Sequence, residues 1–282
     1  MNTMLPSCLR MITLDRFVHK TLGVPYRLHV RTMRRVKKPR ATLLFLHGIG
    51  SSGAEWHDVI EKLPDDVTII TVDMLGFGKS PRPEWARYSA DEQARSVIAT
   101  LLRAGITQRL IVVGHSLGAL VSVEIAKRYP LLVRSLVLCS PPFYNPDRDG
   151  ALPNVDRLMT MIYGQVEHNQ ETFLRLAELA IEHDLVNSAF HLDQDTLPTY
   201  IQTLKATIMS QSAYEDIQKL RIDITIIYGS LDPFVIDRNL KSIAKANPKV
   251  TLARVLVGHE IIGRFIPKIV QRVEKHINAV EV

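Results

Sequence analysis

One stretch of the chain, residues 110–129, constrains the local fold more than any other. An apolar, β-branched run up to Val113 is typical of a buried strand. The pentapeptide Gly-His-Ser-Leu-Gly at 114–118 follows, and apolar residues then recur at helical spacing. The pattern predicts a strand, a sharp turn with Ser116 at its corner, and a helix. A serine in so tight a turn is expected to have strained backbone angles and a projecting hydroxyl.

The glycines of this pentapeptide have a steric explanation. The residues two before and two after Ser116 are crowded in such a turn, so only very small side chains fit there. The turn also places Ser116 at a helix N-terminus, where free N–H groups can face a developing negative charge. This is the pattern of a serine nucleophile between a strand and a helix. The simpler alternative is a glycine-flanked turn with an incidental serine, and the rest of the chain has to decide between the two.

Length and composition describe a globular protein with a sizeable core. The chain has 282 residues, of which 46% are hydrophobic and 23% charged, so it is long enough for one large α/β domain. Apolar runs stay below the ~18 residues of a membrane span. Charged residues interrupt the first twenty positions, which argues against a signal peptide. The two cysteines, Cys8 and Cys139, make no disulfide framework, and we expect a cytoplasmic protein.

The net charge of +6 has a conspicuous source in one short segment. Six basic residues lie between Arg31 and Arg40, where we predict a solvated hairpin loop between two strands. Such a patch could attract an anionic partner. However, the segment lacks the motifs and interleaved aromatic residues of nucleic-acid-binding proteins. We therefore expect a small-molecule substrate, and neither a nucleic-acid partner nor a membrane span.

Strand-like and helix-like segments alternate along most of the chain. Two short strands are predicted first, at 17–21 and 26–30. More strongly apolar strands are predicted at 41–46, 67–72, 109–114, 133–138, 224–228 and 252–257. Continuous apolar strands separated by helices are typical of a parallel sheet that is buried on both faces. The predicted fold class is α/β, with a mostly parallel central sheet and helices on both faces.

The alternation breaks between residues 143 and 220. Strand patterns are missing from this region, whereas helical patterns occur at 155–163, 170–183 and 196–210. Strand and helix order then resumes, and Pro267 is predicted to open a last helix. We therefore divide the chain into a first part of the core, a helical insertion and a second part of the core, at 1–142, 143–220 and 221–282.

A second glycine pattern points to another class of enzyme. Gly48-x-Gly50-x-x-Gly53 follows a predicted strand and opens a helix, and Asp73 ends the next strand 20 residues later. These are the conditions of a dinucleotide-binding fingerprint, so an oxidoreductase that uses residues 48–53 is one alternative. That alternative leaves the serine turn at 114–118 without an explanation.

Three residues that follow predicted strands have the chemistry of acyl transfer: Ser116, Asp232 and His259. A serine hydroxyl needs a base with a pKa near 7, which is histidine, and the histidine needs a carboxylate to fix its tautomer. The carboxyl ends of parallel strands meet at one edge of a sheet, where ligands bind. Each residue also has a simpler explanation, since Asp232 could be a turn residue and His259 an exposed strand end. Asp237 is expected in a helix, pointing elsewhere.

These motifs resemble the α/β-hydrolase family over nearly the whole chain, from about residue 17. The resemblance rests on His47-Gly48, on the pentapeptide at 114–118, on Gly229-Ser-Leu-Asp232 and on Gly258-His259. Serine, acid and histidine also occur in that family's order. The family implies a hydrolase without metal or other cofactor, in which the helical insertion at 143–220 is a cap over the active site.

The resemblance implies a role for each matched position. Ser116 would be the nucleophile, Asp232 the acid and His259 the base. The backbone N–H groups of Ile49 and Leu117 would form the oxyanion hole. The substrate pocket is expected to involve His47, Gly48, His115, Phe143 and Met159. Both His47 and His115 are also interpretable as structural histidines.

The residues also indicate a kind of substrate. An aspartate in place of Ser116 would indicate dehalogenase or epoxide chemistry, so the serine favours acyl transfer. We expect hydrolysis of a small to medium, fairly apolar carboxylic ester. The glycine-rich loop with Trp56 resembles carbon–carbon bond hydrolases of the same fold, although Glu260 stands where they usually carry an aromatic residue. A ligand-binding, receptor-like protein is the remaining alternative, and its triad would usually be altered.

Overall fold

A seven-stranded sheet forms the centre of the protein. The computed structural model describes residues 14–145, 170–183 and 185–280. In chain order the strands are β1 His29–Arg34, β2 Thr42–Leu46, β3 Thr68–Asp73, β4 Leu110–His115, β5 Val133–Cys139, β6 Asp223–Gly229 and β7 Val250–Val255. Their order in the sheet is β1-β3-β2-β4-β5-β6-β7. β1 pairs antiparallel with β3, and the other neighbouring strands are parallel. The predicted mostly parallel α/β fold is confirmed.

Helices connect the strands and cover the sheet. The α-helices are α1 His57–Ile60, α2 Ala90–Arg103, α3 Leu117–Arg128, α4 Gln170–Glu182, α5 Leu197–Thr203, α6 Ala213–Asp216, α7 Asp237–Ala246 and α8 Phe265–Asn278. Shorter turns are π-helical at Phe17–Thr21 and Leu204–Met209 and 3₁₀-helical at Gly53–Trp56 and Ile217–Lys219. Within the described ranges, all helices are too short or too polar to cross a membrane.

The strands are buried on both faces, which explains their continuous apolar sequences. Along β2, Leu44 and Leu46 belong to the core cluster that includes apolar residues of α2 and α3. Leu43 and Phe45 point the other way, into the cluster that includes residues of α1 and α8. Each such side chain contributes about 1.5–3 kcal/mol when it is removed from water. The two clusters together bury both faces of the sheet beneath the loops at its carboxyl edge.

The order of the strands creates a crevice beside β2. The chain leaves β2 for β3 on one side and then crosses back to β4 on the other side. The loops after β2 and β4 therefore run in opposite directions, which is the point where open parallel sheets bind ligands. The loop 47–53 and Ser116 lie at this point.

The N-terminal part of the sheet differs from the prediction. Residues 17–21 form a π-helical turn and not a strand, and the next strand begins at His29 and not at Tyr26. Residues 31–34 of the basic segment belong to this strand, whereas residues 35–40 form the predicted loop between β1 and β2. This loop is not a hairpin, because β3 lies between β1 and β2 in the sheet. Edge strands tolerate charged side chains because one side has no neighbouring strand. Here Arg31 also reaches the buried Asp73, with Nε 2.9 Å from Oδ1.

Between β5 and β6, the residues that the structure describes are helical or irregular. The predicted helices at 170–183 and 196–210 are confirmed, as α4 and as α5 with the π-helical turn that continues it. The predicted helix at 155–163 lies outside the described residues. A small apolar cluster around Leu192 and Leu197 packs this segment internally. The division of the chain at residues 142 and 220 stays a prediction.

Candidate active site

β4 ends in a strained turn at Ser116. This residue has φ 49° and ψ −112°, a combination that non-glycine residues rarely adopt. The turn is held because the Ser116 N–H donates to the Cys139 carbonyl at 3.0 Å, and the Ser116 carbonyl accepts from the Ala119 N–H at 3.0 Å. The backbone strain expected from the sequence is present, and the surrounding structure stabilises it.

Both glycines of the turn are sterically required, for two different contacts. A Cβ at Gly114 would overlap the backbone of Gly118, which is the crowding expected across the turn. A Cβ at Gly118 would instead overlap the carbonyl groups of Leu46 and His47 at the end of β2. The second glycine therefore lets α3 press against the neighbouring strand. This close approach brings the loops after β2 and β4 together.

Asp232 and His259 form a hydrogen-bonded pair in the loops after β6 and β7. Nδ1 of His259 donates to Oδ2 of Asp232 at 2.8 Å, and the Phe234 N–H donates to Oδ1 at 2.9 Å. Burial would raise the pKa of Asp232, but the hydrogen bond and charge of His259 outweigh it, so the pKa is lowered. The carboxylate is therefore ionised. A neutral His259 that donates through Nδ1 has Nε2 free of a proton and able to accept one.

Two other nearby carboxylates have different partners. Asp237 begins α7 and accepts from the Tyr228 hydroxyl at 2.5 Å and from Lys241 Nζ at 2.6 Å. Asp223 lies at the opposite end of β6 and is exposed, 3.0 Å from Lys249 Nζ. Of these three carboxylates, Asp232 is the one that contacts His259, and its role as the catalytic acid stays a prediction.

A cavity of about 260 Å³ lies at the carboxyl edge of the sheet beside these residues. Ser116 and His259 line it, together with the predicted pocket residues Gly48 and His115. Most of the remaining wall is apolar or aromatic. The segment between β5 and β6 supplies Pro142, Tyr144, Val186, Phe190, Tyr200, Leu204 and Ile208, and the loop after β6 supplies Phe234. Ile49, Ser51, Glu55 and Glu260 complete the lining.

His47 does not line this cavity, which corrects its assignment as a pocket residue. It is fully buried, its Nε2 accepts from the Met74 N–H at 2.9 Å, and its Nδ1 donates to the Gly48 carbonyl at 2.7 Å. Burial lowers the pKa of His47, so the ring is neutral. His47 therefore ties the ends of β2 and β3 together, as its structural interpretation expected.

Phe143, which was also predicted to line the pocket, does not line the cavity. Its side chain is 1% exposed and packs in the cluster beneath α2 and α3, and its carbonyl accepts from the Asn239 amide at 2.9 Å. The cavity is lined by the next residue, Tyr144, instead. Met159, the other predicted cap residue of the pocket, lies outside the described residues.

The two backbone groups predicted to bind an oxyanion lie on the loops that meet at the crevice. Leu117 is the first residue of α3, so its N–H is one of those that have no acceptor within the helix. Ile49 lines the cavity in a loop that is fixed at several points. The Gly53 N–H, for example, donates to Asp73 Oδ1 at 2.8 Å. The assignment of both N–H groups to an oxyanion hole stays a prediction.

Asp73 has a structural role that removes support from the dinucleotide alternative. Its carboxylate accepts from the Gly53 N–H, from the Lys79 N–H at 2.9 Å and from the Arg31 guanidinium. Burial would raise the pKa of Asp73, but these donors lower it. A carboxylate that is engaged in joining three segments is not available to bind a ribose hydroxyl.

A buried ion pair beneath the cavity was missed by sequence reasoning. Nδ1 of His115 contacts Oε1 of Glu55, and both side chains are almost inaccessible to solvent. Burial lowers the pKa of His115, but the charge and hydrogen bond of Glu55 outweigh it and raise the pKa to about 9. The same pairing lowers the pKa of Glu55 against the effect of its burial. In the sequence Glu55 is an ordinary polar residue before a tryptophan, so no local pattern indicates the pair.

Asn187 joins the segment between β5 and β6 to the loop after β7 at the carboxyl edge of the sheet. Its N–H donates to Glu260 Oε2 at 3.2 Å, and its amide Nδ2 donates to the Ile261 carbonyl at 3.1 Å.

Within the described ranges, no group of three or more His, Cys, Asp and Glu side chains is placed to hold a metal ion.

The sheet, the strained serine and the acid–histidine pair together define the architecture of an α/β hydrolase. Residues 41–262 match the family model described as alpha/beta hydrolase fold. The chain therefore belongs to this family.

Known relatives resemble parts of the chain. It is 38% identical over 126 residues to the 2-(acetamidomethylene)succinate hydrolase of Mesorhizobium japonicum, which is 45% of this chain and 44% of the relative. It is 28% identical over 121 residues to the probable lysophospholipase BODYGUARD 4 of Arabidopsis thaliana, or 42% of this chain and 29% of that protein. The match thus spans less than half the length of these curated relatives.

A solved structure is similar in fold over a larger part of the chain than these curated relatives are in sequence. The bromoperoxidase from Bacillus anthracis superposes with a TM-score of 0.69 over 84% of this chain and 92% of that one, at 22% identity. At this level of identity the likeness concerns the fold alone. The predicted family and fold are confirmed.

Proposed function

We propose that the protein hydrolyses carboxylic esters through an acyl-enzyme on Ser116. The observation that carries this proposal is the 2.8 Å hydrogen bond from His259 to the buried Asp232, beside a cavity that Ser116 also lines. An ionised acid that orients a histidine, next to a strained serine, is the arrangement that activates a hydroxyl for attack on an acyl carbon.

Each step of the reaction has a residue to perform it. Nε2 of His259 takes the hydroxyl proton as Ser116 Oγ attacks the ester carbonyl, and the N–H groups of Ile49 and Leu117 bind the resulting oxyanion. His259 then protonates the departing alkoxide, which leaves the acyl group on Ser116. Water attacks this acyl-enzyme by the same route, with His259 again as base, and releases the carboxylic acid. The ionised Asp232 stabilises the imidazolium in both halves.

The lining of the cavity supports an apolar substrate of small to medium size. Aromatic and aliphatic side chains make up most of the wall. No lysine or arginine of the described residues lines it, whereas Glu260 does. A dicarboxylate such as the one in the name of the Mesorhizobium relative would therefore lack a cationic partner there. Within the hydrolase class, an ester without anionic groups suits this lining better.

The other candidate functions have weaker support. Glu260 stands directly after His259, where carbon–carbon bond hydrolases usually have an aromatic residue. A receptor-like protein needs no catalytic pair, whereas Asp232 and His259 are hydrogen-bonded and buried or half-buried. The helical segment between β5 and β6 is proposed to act as the cap, since Tyr144, Phe190 and Tyr200 line the cavity.

A fluorophosphonate probe and a panel of nitrophenyl esters test the proposal. The wild-type protein should be labelled covalently and should hydrolyse short neutral esters. Ser116→Ala should abolish labelling and reduce turnover by about 10³-fold or more, because it removes the attacking group. Ser122→Ala is the matched control, since this buried serine lies on the same helix and donates to the Gly118 carbonyl at 2.6 Å.

The outcomes separate the parts of the proposal. Full labelling of Ser116→Ala would end the assignment of Ser116 as nucleophile. Labelling of the wild-type protein without turnover of any ester would keep a reactive serine and reject the ester substrate. Loss of labelling in Ser122→Ala alone would indicate that the probe reports folding and not the nucleophile.

A further inference from the structure

The ring of His115 has an acceptor at each nitrogen. Nδ1 contacts the Glu55 carboxylate, and Nε2 donates to the backbone carbonyl of His259 at 3.1 Å. A neutral imidazole has only one N–H group, so donation in both directions needs the doubly protonated ring. The raised pKa of His115 and the lowered pKa of Glu55 favour this imidazolium beside an ionised carboxylate, buried directly beside Ser116. Since both of its nitrogens are engaged, it is not a second general base.

The ion pair of Glu55 and His115 connects the three loops of the candidate site, which follow β2, β4 and β7. Oε2 of Glu55 accepts the N–H of Gly48 at 2.8 Å, one residue before the proposed oxyanion group of Ile49. His115 is the residue before Ser116 in the strained turn. Its Nε2 bond reaches the loop of His259 across 144 residues of sequence. One charged unit thus touches the oxyanion loop, the nucleophile turn and the histidine loop.

Stability alone does not explain an ion pair at this position. Removing two charges from water costs several kcal/mol, and apolar residues of similar volume often serve as well or better in a protein interior. The hydrogen bonds to Gly48 and His259 are directional and fix the orientation of loops that packing alone only brings together. A charge pair supplies this geometry, whereas an apolar pair would not.

We propose that Glu55 and His115 are positioning residues, which together set the spacing of Ile49, Ser116 and His259 for acyl transfer. This inference rests on the proposed esterase function. It predicts that the charged pair contributes to turnover more than to substrate binding. Loss of the charged pair should displace Ser116 and His259, which Glu55 does not itself contact. A displacement of 1 Å can lower the rate by about 100-fold.

The surroundings of His115 determine how the pair responds to pH. Glu55 faces it from the 3₁₀ turn, Glu260 acts on it from the loop after β7, and the ring of His259 lies 5.0 Å away. His47 near Glu55 is neutral, and burial raises the pKa of the Cys139 thiol well above its usual value, so neither adds charge. Glu55 is therefore the main group that keeps His115 protonated.

The sign of the pH effect follows from this arrangement. The pKa of His115 in the folded protein is about 9, above its usual value of about 6.5. The stability from this protonation is fully present below about pH 6.5 and is lost as pH rises through 9. Above pH 9 the ring keeps one proton, which the Glu55 carboxylate attracts, so the bond to the His259 carbonyl is lost. Turnover should then fall on the alkaline side.

The experiment measures kcat and KM from pH 6 to 10, corrected for spontaneous ester hydrolysis. Glu55→Gln should lower kcat by about 10- to 100-fold at pH 7 while KM changes less than threefold. In this variant the decrease of kcat at high pH should begin at least one pH unit lower than in wild type. The reason is that burial of His115 without the Glu55 carboxylate favours its neutral ring. Glu55→Asp should recover part of kcat. The control is His276→Gln, a buried histidine that is bonded to Thr225 away from the site, and it should keep the wild-type alkaline limb.

The outcomes distinguish this inference from the proposed function. A wild-type protein that neither reacts with the probe nor hydrolyses esters would reject the function itself. Active wild-type protein together with Glu55→Gln of unchanged kcat and alkaline limb would overturn the positioning role. If Glu55→Gln does not fold, NMR of ring-labelled histidine in the wild-type protein decides. A ring that stays protonated above pH 8 and titrates with kcat supports the proposal, and the absence of such a ring overturns it.

Discussion

The carboxylate of Asp232 is fixed by donors on both of its oxygens, with His259 Nδ1 at 2.8 Å and the Phe234 N–H at 2.9 Å. The first donor belongs to the loop after β7 and the second to the loop after β6. The ring of Phe234 in turn packs edge-on against His259, with centroids 4.8 Å apart. These contacts leave one orientation of the histidine, with Nε2 directed away from the acid.

This relationship predicts different effects for two neighbouring aspartates. Asp232→Asn should leave KM within a few-fold but reduce kcat by about 10⁴-fold, because the amide favours the wrong tautomer of His259. Asp237→Asn is the matched control and should stay within a few-fold of wild type, since its partners are Tyr228 and Lys241. Steady-state kinetics on one nitrophenyl ester measures both. Equal losses in the two variants would show that the wrong carboxylate was assigned.

The choice of acyl chain should depend on residues that line the cavity. Phe190→Ala should enlarge the cavity and increase the ratio of long-chain to short-chain ester hydrolysis by several-fold, because a longer chain buries more apolar area. Phe143→Leu is the control: it lies in the core outside the cavity and should lower the melting temperature without changing this ratio. The ratio of kcat/KM for butyrate and octanoate esters measures the effect. A shift in the Phe143 variant, with none in Phe190→Ala, would place the chain-binding wall elsewhere.

The charge of Glu260 should favour cationic over neutral substrates of equal shape. Glu55 in the same wall is compensated by His115, so Glu260 is the uncompensated carboxylate among the described lining residues. A choline ester and its 3,3-dimethylbutyl analogue differ only in having a charged nitrogen or a neutral carbon. Wild type should prefer the choline ester by roughly tenfold or less, as for a partly screened charge, and Glu260→Gln should remove the preference.

A distant carboxylate controls for the overall charge. Asp223→Asn changes the net charge by the same amount at the opposite end of β6, and it should keep the wild-type preference. If both variants lose the preference equally, long-range charge and not the side chain at 260 sets the selectivity.

Much of the core and part of the site could be predicted because their causes are local. Strain at Ser116 and the need for Gly114 arise within a few bonds of one turn, so a pentapeptide contains them. The apolar runs of β2 and β4 indicate burial on both faces directly. Asp232 and His259 were identifiable because each follows a strand, and parallel strands end at one edge. Asp223 was rejected for the same reason.

Other features were decided only by the tertiary structure. Residues 17–21 have a strand-like sequence but form a π-helical turn. Residues 31–34 of the basic segment lie in β1, where Arg31 forms an ion pair with the buried Asp73. The pocket contains Tyr144 where the sequence suggested Phe143, since a difference of one residue changes which side chain faces a cavity. None of these three outcomes has a signal in the neighbouring residues.

The pair of Glu55 and His115 shows most clearly which features the sequence determines by itself and which ones the tertiary structure decides. The sequence by itself determined the turn that presents Ser116, because backbone sterics act between residues that are close along the chain. It did not determine the charge beneath that turn. The protonation of His115 depends on burial, on a carboxylate from the loop after β2 and on a carbonyl from the loop after β7. Those groups become neighbours only when the sheet forms, and their electrostatic interaction acts through space and not along the chain.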